Sequence, residues 1–123
     1  MSSAILVVED NPDNMKLFRW TLEDEGFDFT GVHSAEEAFE TLETATFDLI
    51  VMDISLPGMN GKEATRRLRA DPRFASMPIV AATAHAVKEE EQAILQSGVS
   101  ELVTKPIDEE AFLQVIRSCL ASR

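Results

Sequence analysis

Charged and hydroxyl side chains stand at the ends of the short apolar runs of this 123-residue sequence. The first run is followed by Glu9 and Asp10, the third by Asp53, the fourth closes on Thr83, and the fifth leads into Lys105. In an open parallel sheet the carboxyl ends of the strands meet at one edge, where ligands bind. If the runs are neighbouring strands, three carboxylates, one hydroxyl and one ammonium group converge at that edge.

Three neighbouring carboxylates need a compensating charge. Two like charges about 4 Å apart cost about 4 kcal/mol at an effective dielectric constant of about 20. One lysine cannot neutralise three acids, whereas a hard divalent cation with oxygen ligands can. Mg²⁺ is typically held by one or two carboxylates together with waters and phosphate oxygens. The cluster therefore predicts a Mg²⁺ site with open coordination positions.

The same cluster is suited to phosphoryl transfer, because a carboxylate can attack phosphorus and form an aspartyl-phosphate. Such a reaction depends mainly on positioning and on neutralising the phosphoryl oxygens. The Lys105 ammonium and the Thr83 hydroxyl could each hold one oxygen. Asp53 is the best candidate for the attacking acid, because the Pro and Gly residues behind it leave room for a ligand. The adjacent acids Glu9 and Asp10 are better placed to serve the metal.

The elements that must position these groups are predicted from alternating apolar and amphipathic segments. Continuous apolar runs are typical of strands that are covered on both faces. The run at 27–32 alternates more and contains a glycine, which indicates an edge strand. The five runs are 4–8, 27–32, 48–52, 78–83 and 101–104.

Helices are predicted between the runs and after the last one. Pro12 with Asn11 before it is typical of a helix start, and Ser34 with Glu37 forms a capping box. Arg66, Arg67 and Arg69 are interpreted as a solvated face of the third helix. Further helical segments are 61–70, 86–97 and 108–121. Five strand–helix units predict one α/β domain over 1–123, with a parallel sheet between two layers of helices.

Composition limits the classes of partner. The chain carries 22 acidic and 11 basic residues, a formal net charge of −11, which argues against a nucleic-acid binder. Its single cysteine excludes an internal disulfide, and no apolar run approaches the length of about 20 residues needed to cross a membrane. We therefore expect a cytoplasmic protein with no membrane or nucleic-acid contact.

Four motifs together resemble the receiver domain of two-component response regulators. They are "VVEDN" at 7–11, "VMDISLPGMNG" at 51–61, "ATA" at 82–84 and "TKPI" at 104–107. The resemblance covers residues 4–121 and implies a doubly wound, flavodoxin-like sheet of order 2-1-3-4-5. It implies a signalling module, not an enzyme with an external substrate. The phosphoryl donor would be a phosphohistidine on a sensor histidine kinase or a histidine phosphotransfer protein.

The resemblance also implies individual roles at the site. Asp53 would be the phosphoacceptor. Asp10 and Asp53 would bind Mg²⁺ directly with the backbone carbonyl of Ser55, and Glu9 would act through a water molecule. Thr83 would bind the phosphoryl group.

Further roles follow from the same resemblance. Lys105 would hold a phosphoryl oxygen, and its bond to Pro106 would be cis. Ser55 and His85 would tune the lifetime of the phosphorylated state. Thr83 would move towards the phosphoryl group and alter the face made by the fourth helix, the fifth strand and the fifth helix. Leu102 occupies the position where the family usually has an aromatic residue, so the switch is expected to use a smaller side-chain change.

Other interpretations remain open at this point. A small Mg²⁺-dependent phosphohydrolase with an Asp nucleophile usually has a second Asp two residues on, where this chain has Ser55. A nucleotide- or flavin-binding module would need a Gly-rich or Ser/Thr-rich first loop, and "EDNPDN" is acidic instead. A receiver could also act as a phosphorylation-independent docking module. We expect a stand-alone regulator, with a domain of a hybrid kinase as the alternative.

Overall fold

Five parallel strands form one sheet in the order β2-β1-β3-β4-β5 in the computed structural model, which describes residues 2–84 and 87–122. The strands are β1 (Ala4–Val8), β2 (Asp28–Val32), β3 (Leu49–Asp53), β4 (Ile79–Thr83) and β5 (Glu101–Thr104). The helices are α1 (Pro12–Asp24), α2 (Ala35–Thr44), α3 (Gly61–Ala70), α4 (Lys88–Gln96) and α5 (Glu109–Ala121). The predicted fold class, strand order and edge position of β2 are confirmed. A short 3₁₀ helix, Pro72–Phe74, precedes β4.

The sheet separates two hydrophobic clusters, because successive strand residues point to opposite faces. On one face Ile5, Val51 and Val80 pack with Phe18 of α1 and Phe112 of α5. The other face packs against α2, α3 and α4. Strands β3 and β4 are buried at every residue, since helices cover both of their faces. This burial explains why their sequences are continuous apolar runs.

Four of the five helices begin at a residue whose side chain accepts a hydrogen bond from a backbone N–H group of the first turn. These residues are Asn11, Ser34, Asn60 and Asp108. The predicted caps at Asn11 and Ser34 are therefore confirmed. Helix α4 differs, because it begins after Val87, whose side chain has no polar atom and makes no capping bond.

The prediction that Arg69 lies on a solvated face of α3 is wrong. Its guanidinium donates to the backbone carbonyls of Gly98 (2.8 Å) and Phe74 (2.7 Å) and approaches the Ser100 hydroxyl at 3.4 Å. Burial lowers the pKa of this guanidinium. Arg69 thus joins α3 to the segments that precede β4 and β5. The stretch of sequence around it gave no signal of these bonds, because its partners lie in other elements.

Few large apolar side chains are exposed among the described residues. Trp20 on α1, the only tryptophan of the chain, is 76% exposed, and Val87 and Leu95 at α4 are also exposed. None of the helices in the described part of the chain is long and apolar enough to cross a membrane.

Candidate functional site

The carboxyl ends of β1 and β3 bring three acidic side chains together. Strands β1 and β3 are neighbours, with Val8 opposite Met52, so Glu9 and Asp10 follow β1 beside Asp53 at the end of β3. One carboxylate oxygen from each of the three acids lies within 4.8 Å of the others. Glu9 and Asp53 are buried, whereas Asp10 is exposed. The convergence predicted from the ends of the apolar runs is thus present in the fold.

Lys105 lies between the two buried acids. Its Nζ atom is 2.8 Å from Glu9 Oε1 and 3.1 Å from Asp53 Oδ1, and its side chain is only 15% exposed. The backbone N–H of Lys105 donates to the Thr83 carbonyl at 2.7 Å, which fixes the start of the β5–α5 connection against β4. The Lys105–Pro106 peptide bond is cis.

Burial and the neighbouring charges act in opposite directions on these groups. Burial is the main cause that raises the pKa of Glu9, and Asp53 adds to it, while Lys105 acts against it. Burial alone would lower the pKa of Lys105, but Glu9 and Asp53 together outweigh it, so its pKa lies above the ordinary value. The lysine therefore stays protonated, and burial makes the ionised form of Glu9 costly despite its pairing with Lys105.

The acidic cluster fits a Mg²⁺ ion. Glu9 Oε1 is buried, and the Lys105 ammonium 2.8 Å away is its ion-pair partner. Lys105 carries one positive charge and shares it with Asp53, so the three acids keep a net negative charge that a cation or a proton must compensate. Glu9, Asp10 and Asp53 offer the hard oxygen ligands that Mg²⁺ prefers.

Backbone groups orient the acids. The Asn11 N–H donates to Glu9 Oε2 and the Ser55 N–H donates to Asp53 Oδ1, both at 3.1 Å. Ser55 itself is exposed and lies two residues after Asp53. These bonds hold the two buried carboxylates in fixed directions at the edge of the sheet.

Gly61 brings the start of α3 against the end of β3. Its N–H donates to the Ile54 carbonyl at 3.1 Å, and a Cβ atom on it would lie 2.9 Å from Ile54 Cα and 3.0 Å from the Asp53 carbonyl carbon. Sequence analysis did not identify this contact. The glycine is visible in the sequence, but the backbone that approaches it is fixed only by the fold.

The remaining predicted site residues lie around this centre or outside the described residues. Thr83 is fully buried at the end of β4 and pairs with Thr104 of β5. Leu102 on β5 is half-buried and packs against the hydrophobic cluster that faces α2, α3 and α4. His85 lies outside the described residues.

The site at the carboxyl edge of the sheet does not coincide with a large cleft. A cleft of about 760 Å³ lies at the opposite, amino edge of β3 and β4, where Phe47, Arg73, Phe74 and Met77 line it. It contains none of the converging acids. At the carboxyl edge the Lys105 side chain lies between Glu9 and Asp53, so the site is identified by its charges and distances.

Comparison with known proteins identifies the family of the chain. Residues 5–117 match the family described as response regulator receiver domain. The chain is 38% identical over 120 residues to the polar-differentiation response regulator DivK of Brucella ovis and covers 98% of both chains. It is 41% identical over 115 residues to the sensor protein GacS of Pseudomonas syringae, covering 91% of this chain and only 13% of GacS.

Solved structures agree with the sequence relatives. The receiver domain of sensor histidine kinase PA1611 from Pseudomonas aeruginosa PAO1, which has a magnesium ion coordinated in its active-site cleft, is 30% identical with a TM-score of 0.91 and 98% and 99% coverage. The chemotaxis response regulator CheY4 of Vibrio cholerae is 24% identical with a TM-score of 0.91 and 97% and 99% coverage, a likeness of fold. The chain therefore belongs to the response regulator receiver domain family, the phosphoacceptor domains of two-component signalling.

Proposed function

We propose that Asp53 accepts a phosphoryl group, in a Mg²⁺-dependent reaction, from a phosphohistidine on a sensor histidine kinase or a histidine phosphotransfer protein. The observation that carries this proposal is the position of the Lys105 ammonium between two buried carboxylates, 2.8 Å from Glu9 and 3.1 Å from Asp53. The similarity to receiver domains of sensor kinases supports the class of donor. The chain acts on no other substrate and catalyses only its own phosphorylation and hydrolysis.

Different residues of the chain would have separate roles in the reaction at Asp53. Lys105 and the Ser55 N–H both hold Asp53 Oδ1, so we assign the attack to Oδ2. The new bond joins this oxygen to phosphorus as the bond to the histidine nitrogen breaks, and the electron pair leaves with the imidazole. Lys105 would then pair with a phosphoryl oxygen, and the Thr83 hydroxyl would donate to another. Water attack at phosphorus later restores the free carboxylate.

Asp10 and Asp53 are the proposed direct ligands of Mg²⁺, together with the Ser55 carbonyl, and Glu9 would act through water. The ion, when bound, would neutralise the charge that accumulates on the phosphoryl oxygens. The three carboxylate oxygens within 4.8 Å of one another, with a single lysine beside them, support a bound cation here. The magnesium ion in the related PA1611 receiver domain supports it independently.

The output surface is proposed to be α4, β5 and α5. Movement of Thr83 towards the phosphoryl group would release space beside β5, and the half-buried Leu102 would change its packing in response. Ser55 and His85 are proposed to tune the lifetime of the phosphorylated state. The proposed location is the cytoplasm, where a phosphohistidine donor would meet the chain.

One assay tests the proposed reaction. The wild type, Asp53→Asn and the control Asp28→Asn, which changes an exposed acid of β2, are incubated with Mg²⁺ and a small-molecule phosphodonor. Intact mass should rise by about 80 Da, one phosphoryl group, in the wild type and the control alone. EDTA should prevent the increase. Phosphate release over many turnovers without an adduct would favour a phosphohydrolase, and no reaction at all would favour a docking module.

The lifetime assignment has its own test. Ser55→Ala and His85→Ala should both still form the adduct, because neither side chain is the proposed nucleophile. Their rates of phosphate loss should differ from the wild-type rate, since both positions are proposed to flank the water that attacks phosphorus. Hydrolysis at the wild-type rate in both variants would remove these two residues from the mechanism.

A further inference from the structure

Helix α4 buries one residue, whereas α3 and α5 bury four each. Val87 cannot cap its first turn, unlike the cap residues of the other four helices. Ile94 is the one buried residue within Lys88–Gln96, and it lies near the far end of the helix. Glu89, Glu90 and Glu91 interact favourably with the helix dipole, but they make no capping bond. A tertiary contact would therefore strengthen the first turn of α4.

An ion pair supplies that contact. Lys62 Nζ lies 3.1 Å from Glu90 Oε1, and the two side chains are 23% and 33% exposed. The local pairs Arg19–Glu23 and Arg67–Glu63 are much more exposed. A partly buried pair is screened less by solvent than an exposed one, so it contributes more to holding its elements together.

The other end of this ion pair is fixed beside the phosphoacceptor. Lys62 follows Gly61, whose backbone is pressed against Asp53 and Ile54 and bonded to the Ile54 carbonyl. The lysine therefore lies in the first turn of α3, one residue after the backbone contact with Asp53. Helix α4 follows strand β4, whose last residue is Thr83. Strands β3 and β4 are paired, with Asp53 opposite Ala82.

We propose that the Lys62–Glu90 pair is a latch that holds the first turn of α4 to the first turn of α3, which lies against Asp53, and that Lys62 and Glu90 are positioning residues for the reaction at Asp53. The closed latch keeps the segments that follow β3 and β4 together, and so restricts the approach of water to the phosphoryl group. The positioning role rests on the proposed function. The latch itself does not, because it exists in the unphosphorylated protein.

Amide hydrogen exchange of the unphosphorylated protein tests the latch. Glu90→Gln and Lys62→Met should each speed exchange of the Glu91 amide about three- to fivefold, the factor expected from losing a partly buried ion pair, because this amide is bonded to the Val87 carbonyl and closes the first turn of α4. The double variant should exchange no faster than either single variant, and the charge-swapped Lys62→Glu, Glu90→Lys variant should recover slow exchange. Glu89→Gln is the matched control, since it removes the same charge from the same turn without breaking the pair.

The lifetime of phosphorylated Asp53 tests the positioning role. Glu90→Gln and Lys62→Met should hydrolyse about two- to fivefold faster than the wild type, while Glu89→Gln and the swapped variant should match it. Unchanged exchange in both single variants would overturn the latch. Faster exchange with an unchanged lifetime would overturn the positioning role and leave the latch in place. If the wild type accepted no phosphoryl group, the proposed function would be overturned. The hydrogen-exchange result would still decide whether the latch exists, because it is measured on the unphosphorylated protein.

Discussion

Glu9 is the site residue that opposes folding at neutral pH. It is fully buried, and burial raises the pKa of its carboxyl group. A carboxyl group whose pKa is higher in the folded state than in the unfolded state binds its proton more tightly when folded. Its ionised form therefore lowers the stability of the fold, and stability recovers as the pH falls through the raised value. A bound cation relieves the same penalty.

Replacing Glu9 by glutamine should separate these two effects. Glu9→Gln keeps the shape of the side chain and leaves Lys105 paired with Asp53. In EDTA at neutral pH we expect its melting temperature to exceed that of the wild type by about 2–4 °C, close to 1 kcal/mol for a domain of this size. Mg²⁺ should raise the melting temperature of the wild type more than that of the variant. Scanning calorimetry measures both.

The control for this comparison is Glu40→Gln, which removes a charge from an exposed position of α2. This variant should melt like the wild type in EDTA and gain as much from Mg²⁺. A melting temperature of Glu9→Gln below that of the wild type in EDTA would contradict the argument, because the Lys105 ion pair would then outweigh the cost of burial.

Gly61 offers a second prediction at the scale of one residue. A methyl group there would press on the backbone of Ile54 and Asp53 at 2.9 and 3.0 Å, and neither atom can rotate away. We expect Gly61→Ala to lower the free energy of unfolding by about 2 kcal/mol and to slow phosphorylation of Asp53. Urea denaturation and the rate of adduct formation measure the two effects.

Gly26→Ala is the matched control for Gly61→Ala. Gly26 has a φ of +87° with nothing within 4 Å of its missing Cβ, so alanine there costs about 1 kcal/mol of backbone strain and no contact. Its phosphorylation rate should equal that of the wild type. If both variants were phosphorylated at the same rate, the backbone at Asp53 would tolerate a shift at Gly61.

At the scale of elements, Arg73 connects α2 to the 3₁₀ helix. Its guanidinium lies 2.9 Å from Glu43 Oε1 and 2.8 Å from Asp71 Oδ2, and over the Phe74 ring. Hydrogen bonds from Arg73 lower the pKa of both carboxyl groups from their ordinary values of 4.5 and 3.8. Groups with a lowered pKa in the folded state stabilise it above the unfolded value, and this contribution disappears as the pH falls through the lowered value.

Arg73→Met should therefore be less stable than the wild type at neutral pH, and the difference should shrink below about pH 4 as the acids protonate. Melting temperatures from neutral pH down to acid pH measure this. Arg66→Met, which changes an exposed residue of α3, should show no such pH-dependent difference. A constant difference for Arg73→Met across the range would assign its effect to packing on Phe74.

Most of the elements could be predicted because their signals are local. Continuous apolar runs mark β3 and β4, and cap residues such as Asn11 and Ser34 mark helix starts. Strand ends shifted by a residue where pairing extends the run, as at Asp53, which is opposite Ala82 in the sheet. The Arg69–Gly98 bond and the Lys62–Glu90 pair could not be predicted, since the partners are 29 and 28 residues apart and depend on how the helices are placed.

At the scale of the whole molecule, the sheet topology accounts for the predictable part of the site. Parallel strands that begin at one edge must end at the other, so acids that follow β1 and β3 meet without any knowledge of side-chain packing. The distances from Lys105 to Glu9 and Asp53 were beyond sequence analysis, because they depend on how the β5–α5 connection lies against β4. Sequence alone also does not tell that Glu9 is buried while its neighbour Asp10 is exposed.

The exposed indole of Trp20 gives the molecule an optical property. It is the single tryptophan of the chain, and it is 76% exposed in the folded state. Its emission spectrum is therefore already that of a hydrated indole, and unfolding should change the wavelength of its fluorescence very little. A partner that covers the outer face of α1 would instead shift the emission to shorter wavelengths. The protein thus carries a natural fluorophore that is insensitive to denaturation and responsive to complex formation.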